Sequence, residues 1–130
     1  MEIKVGIKGS AEAEVTSQNT AVAYGSGGVE VFATPAMIGL MENAALTSIQ
    51  GILPEGFSSV GTKVDVVHLA ATPVGLKVNA SSEIVEVDGK RIVFRVEAYD
   101  SQGLIGKGIH ERFIIDVEKF MSRAQGKLQK

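Results

Sequence analysis

Polar and apolar residues alternate in the first and last parts of the chain, and a nearly uniform apolar stretch lies between them. Residues 3–16 alternate loosely and predict a first strand. Residues 17–28 are polar and rich in glycine, and they predict a connection without regular structure. The apolar stretch, residues 31–54, separates this first strand from a second region of period two.

Within the apolar stretch, Thr34 followed by Pro35 predicts the start of a helix. Threonine is a favoured N-cap, and proline at the first helical position gives up only an N–H that would have no partner there. The helix should run from Pro35 to Gln50 or Gly51. Because it is apolar nearly all round, we expect a sheet to wrap around it.

Beyond the apolar stretch, alternation with period two predicts a series of strands. The apolar face of the first of these carries Val60, Thr62, Val64, Val66, His68 and Ala70. His68 should therefore point inward. Turn-forming residues divide the remaining chain into strands over residues 76–87, 90–99 and 104–117. Asp88-Gly89 is a favoured hairpin turn, and pairing across it would place Glu86 opposite Arg91.

The predicted order is a strand, one long helix and four strands in a meander. It indicates a single α+β domain over residues 1–130, with a curved antiparallel sheet wrapped around the central helix. The sheet has two open edges and a single helix cannot cover both of its faces, so we expect two copies to pair edge to edge as a homodimer. A short basic tail with Lys119, Arg123, Lys127 and Lys130 should end the chain as a solvated helix end.

Glu42 is the one ionisable side chain between Val31 and Pro54. The residues that should share its helix face are apolar: Ile38, Met41, Ala45 and Ile49. An unpaired buried charge is strongly unfavourable, so Glu42 should be neutralised, paired or placed at a wet cleft. Each of these situations is typical of a functional site, whereas an exposed position on an amphipathic helix would fit the neighbouring residues poorly.

Composition excludes several classes of function. The net charge of −2, the pI near 5.7 and the low aromatic content give no basic surface for nucleic acid. The absence of cysteine removes disulfides, thiolate metal sites and a cysteine nucleophile. The first residues lack the apolar core of a signal peptide and no apolar run reaches membrane-spanning length, so we expect a cytoplasmic protein without a membrane partner.

Three stretches together resemble the hot-dog-fold thioesterases, and most closely the fluoroacetyl-CoA thioesterase-like branch of that family. They are VFATPAMIGLMENAA at 31–45, HLAATPVGLKV at 68–78 and GKGIHERFIIDVEKF at 106–120. The resemblance covers almost the whole chain after the first strand. It implies a hot-dog fold, hydrolysis of a small acyl-CoA, a site at a homodimer interface, and no metal or cofactor apart from the coenzyme A of the substrate. Two such dimers could also associate into a tetramer.

The resemblance also implies roles for individual residues. The family's reactive threonine, glutamate and histidine match Thr34, Glu42 and His68, and a contributing glycine and arginine match Gly61 and Arg112. Each also has a purely structural interpretation. The threonine would serve as a helix cap, the histidine as a core residue, the glycine as a strand bulge and the arginine as a member of an ion pair.

Thioester hydrolysis requires a proton shuttle, a nucleophile and a donor to the carbonyl oxygen. His68 is the expected shuttle, and Glu42 is either its partner, a general base or the nucleophile. Because Pro35 has no N–H, the helix-terminal donor must be Ala36 or Met37. The Cα atoms of Thr34 and Glu42 should be roughly 12 Å apart along the helix, so His68, the substrate or a second protomer must fill the gap.

One departure from the family concerns specificity. The fluoroacetate-specific enzyme closes its pocket with an aromatic residue ahead of VFAT, whereas this chain has Ser26-Gly27-Gly28 there. We therefore do not expect fluoroacetate specificity. The alternatives to an acyl-CoA thioesterase are a non-catalytic acyl-CoA or acyl-carrier binding protein and a hydratase or dehydratase of the same fold. The basic tail could meet the phosphates of coenzyme A.

Overall fold

One five-stranded antiparallel sheet and one long helix make up most of the computed structural model, which describes residues 2–128. The elements are β1 (Lys8–Glu14), α1 (Ala21–Tyr24), α2 (Thr34–Gln50), β2 (Phe57–His68), β3 (Lys77–Asp88), β4 (Arg91–Asp100), β5 (Gly103–Asp116), α3 (Val117–Gln125) and a 3₁₀ turn (Gly126–Leu128). The strand order in the sheet is β1-β3-β4-β5-β2. Lys130 of the predicted basic tail lies outside the described residues.

The strand order corrects the predicted meander. Strands β3, β4 and β5 do pair consecutively, but β2 pairs with β5 at one edge of the sheet and β1 pairs with β3 at the other. The segment between β2 and β3, residues 69–76, is too long for a hairpin turn and carries the chain to the other side of the sheet. The four predicted strands are present, but the prediction that all four pair in chain order as a meander was wrong.

Helix α2 lies on the concave face of the sheet and forms the core with it. The buried residues of α2 are Met37, Met41, Ala44, Ala45 and Ile49. They pack with inward residues of the strands, among them Val78, Ile84, Ile92, Phe94, Val96 and Ile105. Gly9 lets β1 approach the helix closely, because a Cβ at this position would collide with the carbonyl oxygen of Ala44. Among residues 2–128, no helix is long and apolar enough to cross a membrane.

Two local predictions were displaced by one residue. Helix α2 begins at Thr34 with Ala33 as its N-cap, so Pro35 is the second helical residue and the predicted threonine cap was wrong. In the β3–β4 hairpin, Arg91 pairs with Asp88 because Gly89, with φ of 62°, opens the turn. Arg91 nevertheless reaches the predicted Glu86 through a salt bridge of 3.1 Å.

Two elements differ from the predicted bounds or were not expected, β1 and the short helix α1, and a third, the C-terminal helix α3, follows β5. Strand β1 begins at Lys8, and the predicted connection contains the four-residue helix α1 with Thr20 as its cap. The predicted tail forms α3, which Asp116 caps by accepting a hydrogen bond from the Lys119 N–H. This helix agrees with the predicted helix end, and its apolar residues Val117, Phe120 and Met121 recur at helical spacing.

Candidate active site

Thr34 and His68 are in direct contact at the N-terminus of α2. The Oγ1 atom of Thr34 and the Nδ1 atom of His68 are 2.7 Å apart. Thr34 is the first helical residue, and its hydroxyl caps no backbone N–H because Ala33 occupies the N-cap position. His68 ends β2 on the face directed toward the helix. The fold thus joins these two predicted site residues across 34 positions of sequence.

The environment of His68 favours a neutral imidazole. Burial lowers the pKa of His68 below its ordinary 6.5, and the nearby backbone of Ala70 offsets part of that effect. Its second nitrogen, Nε2, is buried and has no hydrogen-bond partner within residues 2–128. Buried polar atoms are nearly always bonded to protein, water or a ligand, so Nε2 is a site at which a ligand group would bind. A neutral imidazole at pH 7 can also accept a proton.

A cavity of about 310 Å³ opens beside the Thr34–His68 contact. Its other lining residues are mostly small or aliphatic and include Ala70 and Ala71. Ser26 lines the cavity from the glycine-rich connection that precedes α2. The volume is at the lower end of the range for small-molecule sites, which suits a small acyl group.

Glu42 lies in a second polar group, with Gly61, His110 and Arg112. A Cβ at Gly61 would lie 2.7 Å from Glu42 Oε2, 3.1 Å from His110 Cε1 and 3.5 Å from Arg112 Nη1. The missing side chain of Gly61 therefore leaves the space in which the carboxylate faces the guanidinium. Glu42 is half-buried and not fully enclosed.

The expected pairing of Glu42 with His68 is not present. Among the described residues, no hydrogen bond or salt bridge joins these two side chains. The hydroxyl of Thr34 takes that place on the imidazole. One protomer thus holds a Thr34–His68 pair and, separately, a carboxylate near Arg112.

Arg112 is anchored by a buried network that fixes β5 against β2. Its Nε donates to Ser59 Oγ at 2.7 Å, its Nη2 donates to the Ser59 carbonyl at 2.8 Å, and its Nη1 contacts His110 Nε2 at 3.1 Å. His110 Nδ1 lies 2.8 Å from the Lys63 carbonyl. A carbonyl only accepts, so Nδ1 carries the proton and Nε2 accepts from Arg112.

Electrostatics in this network keep His110 neutral. Burial lowers the pKa of His110, and the charge of Arg112 adds to that effect, against the hydrogen bond to the Lys63 carbonyl. Burial also lowers the pKa of Arg112, while Glu42 counteracts it. Sequence reasoning did not assign His110 to the site, although its position two residues from Arg112 on one strand face was a usable signal.

A β-bulge in β2 changes which residues face inward. The pairing register shifts between Gly61, opposite Arg112, and Lys63, opposite Glu111. The extra residue, Thr62, inverts the alternation, so the predicted inward positions of Val60 and Thr62 were wrong while that of His68 holds. The bulge is what directs both Gly61 and His68 toward the helix.

The first turn of α2 has few free backbone donors because Pro35 lacks an N–H. The Met37 N–H donates to the Ala33 carbonyl at 2.9 Å and is already used. The Ala36 N–H has no backbone acceptor within residues 2–128. Of the two predicted donors to a substrate carbonyl, Ala36 is the one that the fold leaves free.

A five-stranded antiparallel sheet curled around one helix is the fold of the solved hot-dog thioesterases that this chain resembles. The chain superimposes on a solved structure of fluoroacetyl-CoA thioesterase FlK with a TM-score of 0.92, at 37% identity over 98% of each chain. It superimposes on a hot-dog-like protein from Thermanaerovibrio acidaminovorans with a TM-score of 0.90, at 27% identity over 98% of this chain and 95% of the other.

Sequence comparison narrows the class to a family. Residues 15–118 match the family described as FlK, fluoroacetyl-CoA-specific thioesterase. The fluoroacetyl-CoA thioesterase of Streptantibioticus cattleyicolor is 45% identical over 98 residues, which are 75% of this chain and 70% of that protein. The chain belongs to the FlK thioesterase family.

Proposed function

We propose that this protein hydrolyses the thioester of a small acyl-CoA, with water as the acceptor and a carboxylic acid and free coenzyme A as products. The observation that carries the proposal is the 2.7 Å contact between the Thr34 hydroxyl and a neutral His68, beside a cavity of about 310 Å³. A hydroxyl within hydrogen-bond reach of a base is the arrangement that activates an oxygen nucleophile. Family membership supports the same reaction.

In the proposed mechanism, the Ala36 N–H and the positive end of the α2 dipole polarise the thioester carbonyl. His68 takes a proton from the attacking oxygen, which is the Thr34 hydroxyl or a water that this hydroxyl holds, and returns it to the departing thiolate. When the Thr34 hydroxyl attacks, an acyl-threonine ester forms as the thiol leaves. Glu42 of the second protomer takes a proton from the water that hydrolyses this ester, because Thr34 and Glu42 of one chain are roughly 12 Å apart. The charge of Arg112 attracts the carboxylate, and the absence of a side chain at Gly61 leaves the space that the carboxylate occupies.

Substrate identity is proposed from the cavity. The curated relative named above is a fluoroacetyl-CoA thioesterase, but residues 26–28 of this chain contain no aromatic side chain to cover the acyl group. We therefore propose small acyl groups in general, carried by coenzyme A, with no metal or further cofactor. Because acyl-CoA is an intracellular metabolite, we propose a cytoplasmic location.

The test is release of free thiol from a panel of acyl-CoA thioesters of increasing chain length. We expect turnover with two- to four-carbon acyl groups and a decline with longer ones. Binding of these thioesters without thiol release would instead indicate a binding protein, and addition of water to an enoyl-CoA would indicate a hydratase. Either result would overturn the proposed activity.

We also propose that two copies pair through the open edge of β2. Within the described chain, this twelve-residue strand has a neighbour on one side only, β5. Val64 and Val67 on it are 39% and 50% exposed. Antiparallel pairing centred on Val64 would place each Lys63 opposite the partner's Asp65, so the edge is complementary to itself.

Reversing the charge of Asp65 tests this edge pairing. Asp65→Lys would put two pairs of like charges across the interface, and exposed pairs are worth up to about 1 kcal/mol each. We expect the dimer dissociation constant to rise about tenfold in analytical ultracentrifugation. Adding Lys63→Glu to Asp65→Lys should recover part of the affinity. An unchanged constant in both variants would place the interface elsewhere.

Gly61→Ala should impair catalysis while leaving the fold intact. The new methyl group would lie 2.7 Å from Glu42 Oε2, so the flexible carboxylate end must move. Displacing a reacting group by about 1 Å commonly reduces turnover up to a hundredfold, and we expect a loss of about ten- to a hundredfold in kcat. Gly51→Ala is the matched control, since nothing lies near its Cβ and its φ is −71°. Equal kcat in both variants would contradict the role of Gly61.

The pH profile of kcat/KM should rise on the acid side with an apparent pKa below 6.5. His68 acts as a base only when deprotonated, and burial lowers its pKa, so the active form persists to lower pH than for a free imidazole. Rates measured from pH 4.5 to 8 check this. The acid limb should be absent from the residual activity of His68→Gln, and a wild-type limb above 6.5 would count against His68 as the base.

A further inference from the structure

His110 takes no part in the chemistry proposed above, yet two hydrogen bonds fix its ring. The residue is 1% exposed, and the ring stacks on Phe94 with centroids 6.2 Å apart and planes at 29°. Its Nδ1–H donates to the Lys63 carbonyl at 2.8 Å, and its Nε2 accepts from Arg112 Nη1 at 3.1 Å. One nitrogen is thus a donor and the other an acceptor, so the ring cannot turn over without losing both bonds.

The acceptor nitrogen of His110 holds one end of the Arg112 guanidinium. Ser59 holds the other end, because its Oγ accepts from Nε at 2.7 Å and its carbonyl accepts from Nη2 at 2.8 Å. A guanidinium has five N–H groups in one plane, and these three bonds leave one N–H on Nη1 and one on Nη2. Of the three bonds, the one to His110 is the bond that fixes Nη1.

Atoms of three side chains border the space above Gly61. A Cβ there would lie 2.7 Å from Glu42 Oε2, 3.1 Å from His110 Cε1 and 3.5 Å from Arg112 Nη1. The His110 ring is therefore one wall of the space that holds the carboxylate, and its hydrogen bond fixes the cationic nitrogen of another wall. The second N–H of Nη1 is the donor that lies beside the carboxylate.

We propose that His110 is a positioning residue for Glu42. Its unprotonated Nε2 holds Arg112 Nη1 at the place where this cation orients the carboxylate toward the attacking water. The inference rests on the proposed function, because Glu42 activates water only in the proposed hydrolysis. A base must point at the proton that it takes, and a displacement of about 1 Å commonly reduces turnover up to a hundredfold. His110 acts through Arg112 and not on the substrate.

Two amide substitutions separate the two hydrogen bonds of the ring. Glutamine brings its side-chain oxygen near the position of Nε2 and keeps an acceptor for Arg112. Asparagine brings its side-chain nitrogen near the position of Nδ1 and keeps a donor for the Lys63 carbonyl. Both substitutions remove the ring and its contact with Phe94, so each variant is the matched control for the other.

We expect His110→Gln to keep kcat within about threefold of wild type and His110→Asn to lose about ten- to a hundredfold, with KM unchanged in both. A role limited to holding the bulge of β2 predicts the reverse order, because only asparagine keeps the bond to Lys63. Equal kcat in the two variants, or a lower kcat in His110→Gln, would overturn the proposal.

The double variant Glu42→Gln/His110→Asn tests whether His110 acts through Glu42. Once the carboxylate is absent, His110 has no base to orient, so we expect the double variant to have the kcat of Glu42→Gln alone. A further loss of about tenfold would show that His110 supports turnover by another route, and it would overturn the proposal.

Proton–nitrogen NMR of the side chains examines the same contacts without turnover. In wild type at neutral pH, we expect His110 to be protonated on Nδ1 alone and the two Nη1 protons of Arg112 to give separate signals, since this nitrogen is fixed. The two signals should remain separate in His110→Gln and merge in His110→Asn. A wild-type His110 protonated on Nε2 would overturn the proposal even if neither variant folded.

The outcomes separate this inference from the proposed function. Normal hydrolysis by wild type with equal kcat in the two His110 variants would overturn the positioning role and leave the thioesterase activity standing. Failure of wild type to hydrolyse any acyl-CoA would overturn the function, while NMR would still decide whether His110 fixes the guanidinium of Arg112.

Discussion

Replacing His68 with alanine should reduce kcat/KM for acyl-CoA hydrolysis by roughly a hundred- to ten-thousandfold. The reason is the loss of the group that accepts a proton from the Thr34–His68 hydrogen bond of 2.7 Å, since general-base catalysis contributes about that factor. Initial rates of thiol release measure the effect. The fold should survive, because His68 is a half-buried residue at the end of an edge strand and contributes no apolar core contact.

Val87→Ala is the control for His68→Ala. Val87 lies on β3, away from the site and from the open edge of β2, and is 38% exposed, so its truncation should leave the rate within about twofold of wild type. Thr34→Val should also lose activity, and combining it with His68→Ala should cost little more than either change alone, because the two side chains act as one unit. Additive losses, or near wild-type turnover in His68→Ala, would show that the pair has no catalytic role.

The central helix and each of the five strands could be predicted from the sequence, because the signals for these elements are local. Thr34 and Pro35 mark a helix start in any context, and alternation identifies strands wherever one face is buried. The position of β2 at the sheet edge was not predictable in the same way. It depends on how residues 69–76 cross the sheet, and no local pattern reports the pairing of distant strands.

The candidate site was predictable as a set of residues but not as a set of contacts. Burial singled out Glu42, alternation placed His68 inward and resemblance added Thr34, but the expected contact between Glu42 and His68 is absent within the described protomer. The actual partner of His68 is Thr34, because Ala33 caps the helix and leaves the threonine hydroxyl free. A sequence pattern does not locate a helix start to within one residue, yet a shift of one residue decides whether the Thr34 hydroxyl caps the helix or is available to His68.

The bulge at Thr62 explains why the predicted inward positions on β2 were wrong for Val60 and Thr62 but correct for His68. Alternation alone places Val60 and His68 on the same face, and one extra residue between them separates the two positions. Beside the bulge, the Lys63 carbonyl accepts a hydrogen bond from His110, which lies 47 residues away in sequence. The residues of β2 by themselves do not predict this contact.

Replacing Glu42 with glutamine should also reduce kcat by roughly a hundred- to ten-thousandfold, because it removes the carboxylate proposed to activate water while keeping the side-chain volume. The neighbouring Asn43→Ala, at an exposed position of the same helix, should leave kcat unchanged. Thermal unfolding separates two roles for Glu42. As a general base it should lose turnover with little change in Tm, whereas a carboxylate that only compensates Arg112 should lose stability and keep its rate. Normal turnover in a destabilised Glu42→Gln would therefore assign this half-buried charge to the buried arginine and leave catalysis to Thr34 and His68.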